Sequence, residues 1–316
     1  MLGLKTGERR REVISLKKIV VIGSLNQDIA VKTDHISQIG ETVLVKEANY
    51  FPGGKGANQA YAIGKLGGDV LMLGAVGDDP AGKFLLNNLQ SVGVNISHVK
   101  TDKNTRTGMA WITVNKAGDN CITVIQGANQ RVDIPYIQEN ISVIEDADII
   151  LLQLEIPLET VEYVAMVAKS LGKYVILDPA PAIPLSDDLL QKVDLIKPNE
   201  TEIAILTGSD IDDDDYFRKS TLLKEKGVKN VLITLGDKGV IANLSGCEPL
   251  YFQGYKVKAV DTTAAGDSFV AMLAVSISKE IEMKEAIDAA QKVASFVVTR
   301  EGAQTAIPSI EELNIM

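Results

Sequence analysis

The chain is poor in the residues from which metal sites and disulfide frameworks are built. Its 316 residues include two cysteines, Cys121 and Cys247, and two histidines, His35 and His98. Cysteines this far apart form neither a disulfide framework nor a zinc site, and they favour a reducing compartment. So few histidines exclude a His-rich metal site and argue against a Ser-His-Asp hydrolase. We therefore expect a cytoplasmic protein.

Long apolar runs and a positive net charge are missing as well. No run approaches the ~18 to 20 apolar residues that cross a bilayer. Lys plus Arg (32) against Asp plus Glu (42) give a net charge of −10. A field of this sign repels phosphate backbones and anionic membranes, so we expect neither nucleic acid nor a membrane as partner. Residues 1–16 lack the apolar segment of a signal peptide, and we interpret them as a tail outside the fold.

Short apolar runs alternate with stretches of helical periodicity along most of the chain, in which 46% of residues are hydrophobic. The first run, Lys17–Gly23, is typical of a parallel strand that is buried on both faces. Similar runs are Val70–Val76, Ile149–Leu154, Tyr174–Leu177, Asp194–Lys197 and Val231–Leu235. Helical stretches between them are Ala57–Leu66, Ala81–Val92, Leu158–Leu171 and Thr201–Leu206. This alternation predicts a doubly wound α/β core, with a site beyond the carboxyl ends of its strands.

Two segments, 30–51 and 108–127, break this rhythm with alternating polar and apolar residues. Trp111–Val114 and Cys121–Ile125 flank a turn that contains Gly118, which predicts a β-hairpin. We interpret the two segments as a small separate sheet that forms a lid. Ordinary surface hairpins explain the pattern about equally well. The core would then consist of residues 17–29, 52–107 and 128–316.

A glycine-rich segment, GGKGANQA, occupies residues 53–60. Its glycines let the backbone approach a ligand closely, and the helix that follows directs free N–H groups at the same place. Lys55 and Asn58 add further donors. A tight turn alone does not need this combination, so we favour a ligand-binding loop over a structural turn. Gln59 stands where a dinucleotide fingerprint has its third glycine, which argues against a nicotinamide dehydrogenase.

A second segment, DTTAAGDSF at 261–269, precedes an apolar helical run. Small residues at 264–266 leave backbone N–H groups accessible at a helix N-terminus, an arrangement suited to a phosphoryl group in transfer. Asp267 lies at the same point, where a carboxylate can accept a proton from a substrate hydroxyl. An N-cap role for Asp267 explains the local pattern equally well. The glycine-rich segment upstream favours the catalytic interpretation.

A third segment, KPNETE at 197–202, follows a predicted strand. Asn199 and Glu202 share one face of the helix start, and such an oxygen-rich pair suits Mg²⁺, through water, beside a nucleotide phosphate. A capping box formed by the same two residues explains the local spacing better. Two weaker loops also follow strands. The loop with Asn26 and Asp28 offers groups for hydroxyls, and Thr234–Gly239 offers glycines for a nucleotide.

Taken together, these motifs resemble those of the ribokinase group of PfkB-type carbohydrate kinases, from Lys18 to Pro308. The matching motifs, in the order of the family, are GSLNQD, GGKGANQA, LLQLEIP, KPNETE, ITLGDKGV, DTTAAGDSF and TREGAQTAIP. The resemblance implies a Rossmann-like α/β core with a β-sheet lid that clasps a second subunit in a homodimer. It also implies ATP-dependent phosphorylation of D-ribose at O5, with Mg²⁺ and K⁺. Kinases for another sugar (fructose or deoxyribose) or for a nucleoside are alternatives, as is a non-catalytic ligand sensor.

The resemblance also carries residue roles onto this sequence. The catalytic base falls on Asp267, and the anion hole falls on Ala264, Ala265 and Gly266. Ribose recognition falls on Asn26, Asp28, Gly54, Lys55, Asn58 and Glu155. Nucleotide and magnesium contacts fall on Asn199, Glu202, Thr234, Gly236, Gly239 and Gln291, with Glu202 reaching Mg²⁺ through water.

An activating potassium ion is implied in the same way. Its ligands would be Asp261 and the carbonyl oxygens of Thr263, Val297, Arg300 and Gly302. Ala306 stands where related enzymes often have a serine ligand. We therefore expect the potassium shell to be one side chain short.

Overall fold

A computed structural model describes residues 16–314, so the predicted N-terminal tail (1–16) lies almost wholly outside the described residues. The strands in these residues are β1 (Ile19–Ile22), β2 (Asn26–Lys32), β3 (Ala48–Gly53), β4 (Val70–Leu73), β5 (Ala75–Gly77), β6 (Lys100–Asp102), β7 (Gly108–Val114), β8 (Asn120–Ile125), β9 (Ile149–Leu152), β10 (Tyr174–Leu177), β11 (Leu195–Ile196), β12 (Asn230–Thr234), β13 (Gly239–Asn243) and β14 (Leu250–Gln253). The helices are α1 (Lys55–Lys65), α2 (Pro80–Gln90), α3 (Ile134–Glu139), α4 (Ile141–Asp146), α5 (Leu158–Ser170), α6 (Asp187–Leu190), α7 (Glu200–Thr207), α8 (Tyr216–Glu225), α9 (Ala265–Ser278), α10 (Met283–Val297) and α11 (Ile310–Asn314). Among these described helices, none is long and apolar enough to span a bilayer.

The larger sheet has eight strands in the order β14-β13-β12-β11-β10-β9-β1-β4. The six strands from β12 to β4 pair in parallel, and β13 and β14 add an antiparallel edge. The chain runs from β1 to β4 on one side and later continues through β9 on the other side of β1. This confirms the prediction of a doubly wound α/β core. Ligand sites in such sheets lie beyond the carboxyl ends of the strands at the point where the direction switches.

Side chains of the buried strands alternate between two hydrophobic cores. In β1, Ile19 and Val21 belong to one core, and Val20 and Ile22 belong to the other. Helices α1, α2, α9 and α10 cover the first core, and α3 to α8 cover the second. Because both faces are buried, these strands are continuously apolar in sequence rather than alternating.

A second sheet contains four strands in the order β3-β2-β7-β8. Strands β7 and β8 form the predicted hairpin. Strands β2 and β3 extend beyond the predicted segment 30–51 at both ends, since Asn26 pairs with Gly53. The small sheet therefore carries Asn26 and Asp28, two of the residues predicted to bind the sugar.

The predicted strand Val70–Val76 was wrong in extent, because it splits at Gly74 into β4 and β5. Strand β5 pairs with β6 in a separate two-stranded sheet. A β-carbon on Gly74 would lie 2.4 Å from Leu25 Cδ1, so no side chain fits there. The Gly74 N–H donates to the hydroxyl of Tyr136 (3.1 Å) instead of to a neighbouring strand. The pairing of β4 with β1 ends at Leu73, directly before Gly74.

Candidate active site

A cavity of about 650 Å³ opens beyond the carboxyl ends of β10, β11 and β12, beside the start of α9. Of the residues predicted from the sequence, it is lined by Lys55, Asn199, Glu202, Thr234, Gly236, Gly239, Ala264, Ala265, Gly266, Asp267 and Gln291. The other residues predicted to bind the sugar adjoin this set through the contacts described below. They are Asn26, Asp28, Gly54, Asn58 and Glu155. The fold thus brings the sugar and nucleotide predictions to one place.

Asp267 lies in the first turn of α9 and is 6% exposed. Asn58 Nδ2 donates to its Oδ2 at 2.9 Å, and Gln59 Nε2 donates to its Oδ1 at 3.0 Å. The N-cap position of α9 is Ala264, without a side-chain cap, so the N-cap interpretation of Asp267 was wrong. The carboxylate is instead held by two amides of the glycine-rich segment.

The backbone at the start of α9 leaves donors available for an anion. Ala264 has a φ of 60°, a left-handed conformation that is uncommon for a residue with a β-carbon. The Ala265 N–H makes a long hydrogen bond of 3.3 Å to the carbonyl of Thr262. Within residues 16–314, the N–H groups of Ala264, Gly266 and Asp267 have no acceptor. These three donors lie at the amino end of α9, which borders the cavity. The helix dipole also favours negative charge at this end.

Three carboxylates, those of Asp28, Glu155 and Asp267, lie near enough to one another for their charges to interact. Burial raises the pKa of Asp28 to about 7, and the charges of Glu155 and Asp267 add to this effect. Glu155 Oε2 accepts from the Ser24 hydroxyl (2.5 Å) and from the Lys55 N–H (3.0 Å). Burial would lower the pKa of the Lys55 ammonium, but the nearby carboxylates, Asp267 foremost, raise it. The arrangement offers several acceptors to a polyhydroxyl ligand.

The glycine-rich segment passes β2 so closely that Gly54 has no room for a side chain. Gly54 has a φ of +87°, and a β-carbon there would lie 2.7 Å from Asn26 N. Asn26 is 2% exposed, and its Oδ1 accepts a hydrogen bond of 2.7 Å from Asn129 Nδ2. That bond fixes the orientation of the Asn26 amide, and its nitrogen is the end that remains for a ligand.

A chain of buried amides supports Asp267, and these residues were not predicted to belong to the site. Gln304 Nε2 donates to Asn58 Oδ1 (2.9 Å), and Gln153 Nε2 donates to Gln59 Oε1 (2.5 Å). Each bond uses the oxygen of an amide whose nitrogen binds Asp267, which fixes how that amide is turned. A signal existed in the sequence, since Gln153 directly follows a buried apolar run and a polar group there needs a partner.

Asn199 and Glu202 form a capping box at the start of α7, which confirms the structural interpretation of their spacing. Asn199 Oδ1 accepts from the Glu202 N–H, and Glu202 Oε2 accepts from the Asn199 N–H, both at 2.8 Å. Both residues also line the cavity, and burial raises the pKa of Glu202. Thr234 lies beside the capping box, because its N–H donates to the carbonyl of Pro198 at 3.0 Å. The other carboxylate oxygen of Glu202 takes no part in the box.

An ion pair between Asp178 and Lys197 also borders the cavity and was not predicted. Asp178 follows β10, Lys197 follows β11, and their side chains are 2% and 5% exposed. Lys197 Nζ lies 3.0 Å from Asp178 Oδ1. A lysine that ends a buried strand was a usable signal, although within KPNETE only Asn199 and Glu202 were predicted to have a role.

The predicted potassium ligands lie on two loops that hydrogen bonds join. Asp261 Oδ1 accepts from the Thr263 N–H, and Asp261 Oδ2 accepts from the Gly302 N–H, each at 2.9 Å. Burial alone would raise the pKa of Asp261, but the bonds from Thr263 and Gly302 outweigh it and lower this pKa. The carbonyls of Thr263, Arg300 and Gly302 accept no backbone hydrogen bond in the described chain, whereas that of Val297 accepts one from Arg300. A carboxylate with free carbonyls is an oxygen donor set that fits an alkali cation.

Ala306 is fully buried and offers this region a methyl group only. Across residues 16–314, no group of three or more His, Cys, Asp or Glu side chains could hold a metal ion. A cation in this part of the protein would therefore depend on the Asp261 carboxylate together with the backbone carbonyls of residues 263, 300 and 302.

Comparison with known proteins places these features in context. Residues 16–310 match the family model described as pfkB family carbohydrate kinase. The chain is 38% identical to the ribokinase of Haemophilus influenzae over 297 residues, which covers 94% of this chain and 97% of that protein. It is 37% identical to the deoxyribokinase of Salmonella typhi over 298 residues, with the same coverages of 94% and 97%. The structure of Arabidopsis thaliana ribokinase complexed with ribose and ATP is similar with a TM-score of 0.88 at 32% identity, covering 95% of this chain and 98% of that one.

Proposed function

The chain belongs to the PfkB family of carbohydrate kinases, and we propose that it transfers the γ-phosphoryl group of ATP to O5 of D-ribose, giving D-ribose 5-phosphate. Relatives named ribokinase support ribose as the acceptor, and the relative solved with ribose and ATP supports ATP as the donor. One observation carries the proposal. The Asp267 carboxylate, held by Asn58 and Gln59, lies on the same cavity as the free amides at the start of α9.

Asp267 acts as the general base in this proposal. As O5 attacks the γ-phosphorus, its proton passes to the Asp267 carboxylate. The bond from phosphorus to the bridging oxygen breaks, and its electron pair leaves with ADP. The N–H groups of Ala264, Gly266 and Asp267 stabilise the charge on the transferring group, in a site where they need not reorient.

The sugar would be held by side chains from the small sheet and from the α/β core. Asp28 and Asn26 come from the small sheet, and Asn58 and Glu155 come from the core. Hydroxyls bound by these groups fix which alcohol faces the phosphorus, and this positioning contributes to rate as well as to specificity. The small sheet would act as a lid that excludes the water by which ATP would otherwise be hydrolysed.

The nucleotide would occupy the part of the cavity lined by Thr234, Gly236, Gly239 and Gln291. Glu202 would contact Mg²⁺ through water, using the carboxylate oxygen outside the capping box. When bound with ATP, Mg²⁺ neutralises phosphate charge during transfer.

K⁺ would be held by Asp261 and the free carbonyls of Thr263, Arg300 and Gly302. When bound, the ion supplies positive charge beside the loop that leads into α9. Turnover measured with K⁺ and with Na⁺ at equal ionic strength tests this site, and we expect faster turnover with K⁺. Equal rates in the two salts would contradict it.

The proposed reaction is tested by measuring ADP release with ATP and a panel of pentoses, hexoses and nucleosides. We expect the highest kcat/KM with D-ribose. The relative named deoxyribokinase makes 2-deoxyribose the second candidate, which has the same primary alcohol. A higher kcat/KM with fructose or a nucleoside would reassign the substrate. Calorimetry that detects ribose binding without turnover would support a ligand sensor instead. The cytoplasmic location stays a prediction.

We further propose a homodimer formed through the small sheet. All residues of β8 are exposed, including Ile122 (53%) and Val124 (46%). Strand register places Ile122 and Val124 on the same face of the sheet as Asp28. A second copy that covers this face would therefore also cover the proposed sugar site. Light scattering should find wild-type dimers, monomers for Ile122→Glu, and dimers for the control Thr123→Glu on the opposite face. A monomeric wild-type protein would contradict the proposal.

A further inference from the structure

We propose that Lys197 binds the transferring phosphoryl group together with the free amides at the start of α9. The inference rests on the proposed kinase function and adds to it a role for the first residue of the KPNETE segment, of which only Asn199 and Glu202 were assigned. Lys197 follows β11 at the carboxyl edge of the large sheet, and its side chain is 5% exposed. It lines the same cavity as Gly266 and Asp267.

The Lys197 ammonium lies directly in front of Gly266. A β-carbon placed on Gly266 would be 3.1 Å from Lys197 Nζ, and apart from the surrounding helix no other described atom lies within 4 Å of that position. The Gly266 N–H is one of the donors without an acceptor in the described chain. The ammonium and the free amides therefore border one small space, and a side chain at position 266 would fill it.

The ion pair with Asp178 engages only one side of the Lys197 ammonium, which carries three N–H groups. Nζ lies 3.0 Å from Asp178 Oδ1, yet this oxygen makes no hydrogen bond within residues 16–314. The charges of the two groups therefore attract each other at close range, through a single oxygen of Asp178. Asp178 Oδ2 accepts from Gln59 Nε2 at 2.8 Å, and the same nitrogen donates to Asp267. Gln59 therefore connects the carboxylate that positions Lys197 to the proposed base.

Burial makes a second anion beside Lys197 favourable. An ammonium removed from water is costly unless its N–H groups are bound as well as its charge balanced. The Asp178 carboxylate balances the charge through one oxygen and leaves further N–H groups of Lys197 for another acceptor. A terminal phosphate has three oxygens, and charge-assisted bonds to such oxygens are among the strongest in proteins.

The group-transfer step stays balanced when Lys197 is included. O5 of the sugar bonds to the γ-phosphorus, the bond to the bridging oxygen breaks with its electron pair going to ADP, and the O5 proton goes to Asp267. Lys197 keeps its protons and forms no covalent bond. It contributes positive charge at the non-bridging oxygens, where negative charge is held through the transfer.

The test compares Lys197→Met with Lys169→Met. Lys169, on α5, pairs at 2.8 Å with Asp194. Asp194 directly precedes β11, whereas Lys197 directly follows it, so the two ion pairs lie at opposite ends of one strand. Lys197→Met is expected to lower kcat by about 100-fold or more, and Lys169→Met by less than about twofold. By calorimetry, Lys197→Met should weaken binding of the β,γ-imido analogue of ATP by about tenfold or more while changing the affinity for ADP by less than about threefold.

A double variant separates phosphoryl binding from simple neutralisation of Asp178. Lys197→Met combined with Asp178→Asn removes the charges of both partners, so neither is left buried without the other. The double variant can therefore be tested even if Lys197→Met alone fails to fold. Turnover should stay low in the double variant if Lys197 binds phosphate. Recovery to within about threefold of Asp178→Asn would overturn the inference, because only charge balance would then have been lost.

The binding experiment distinguishes this inference from the proposed function. Equal losses of affinity for ADP and for the imido analogue would overturn the assignment of Lys197 to the γ-phosphate. A wild-type protein that releases no ADP with any sugar would overturn the kinase proposal. The difference between the two nucleotides would still test Lys197 in that case.

Discussion

The sugar side and the nucleotide side of the cavity use different chemistry. On the sugar side, hydrogen bonds hold the side chains of Asn58 and Glu155 in place, and the Asp28 carboxylate is buried near Glu155 and Asp267. On the nucleotide side, most of the predicted contacts come from glycines and from helix starts, at the α7 capping box and the free amides of α9. Backbone donors suit phosphate, which every nucleotide shares. Side-chain carboxylates and amides suit one pattern of hydroxyls, so specificity should depend on the sugar side.

Asp267 belongs to both sides, and changing it should have the largest effect. Asp267→Asn keeps the size of the side chain but removes the proton acceptor. We expect turnover to fall by about 100-fold or more, while the Kd for ribose by calorimetry stays within a few-fold. Turnover near that of the wild type would remove Asp267 from the mechanism and leave the two sides without a common residue.

Gly54→Ala should affect the sugar side next most strongly. A β-carbon would meet Asn26 N at 2.7 Å, and the φ of +87° is unfavourable for alanine. We expect ribose affinity to fall by about tenfold or more, from strain of about 1 to 3 kcal/mol. Gly67→Ala is the matched control, because Gly67 has a φ of +77° with no atom within 4 Å. Gly67→Ala should lower the stability of the protein without changing its affinity for ribose. An equal loss of ribose affinity in both variants would show that the collision with Asn26 is irrelevant.

Asp28 should make the sugar side respond to pH. Its pKa of about 7 lies above the ordinary carboxyl value because of burial and the charges of Glu155 and Asp267. The folded protein therefore keeps a proton that the unfolded chain loses from about pH 4 upward. Its contribution to the free energy of unfolding is consequently largest at low pH and declines as the pH rises to about 7.

Ribose affinity should rise with pH, because the ionised Asp28 carboxylate accepts hydrogen bonds from hydroxyls. Asp28→Asn should flatten both profiles, measured by urea unfolding and by calorimetry between about pH 5 and pH 8. The exposed Asp69, at the amino end of β4, provides the control Asp69→Asn. Unchanged pH profiles in Asp28→Asn would contradict the assignment.

Ala264→Gly should have the smallest effect and concerns the nucleotide side. Its φ of 60° is one that glycine adopts without strain. We expect a gain in stability of at most about 1 kcal/mol and kcat within about twofold, since the free amides keep their place. Glu280→Gly is the control, because Glu280 has a φ of 57° away from the cavity. A large loss of kcat in Ala264→Gly alone would mean that the methyl group itself orders the anion hole.

Most of the fold could be predicted because local sequence pattern reflects burial. The run at Tyr174–Leu177 was predicted with the bounds that β10 has, since strands buried on both faces are continuously apolar. The split at Gly74 could not be predicted, because it depends on contact with Leu25 and Tyr136, which are distant in sequence. The N-cap interpretation of Asp267 failed for a similar reason. Its true partners, Asn58 and Gln59, lie about 200 residues earlier, at separations of 209 and 208.

The order of residues alone was enough to indicate the family, the alternation of strands and helices, and the segments that border the cavity. It was enough because glycine-rich loops, helix starts and apolar runs are local features with local causes. Folding decided which amides hold Asp267, why Asp28 has a raised pKa, and that Lys197 lies in front of Gly266. These features depend on distances and on the exclusion of water, and both exist only after distant segments have packed together.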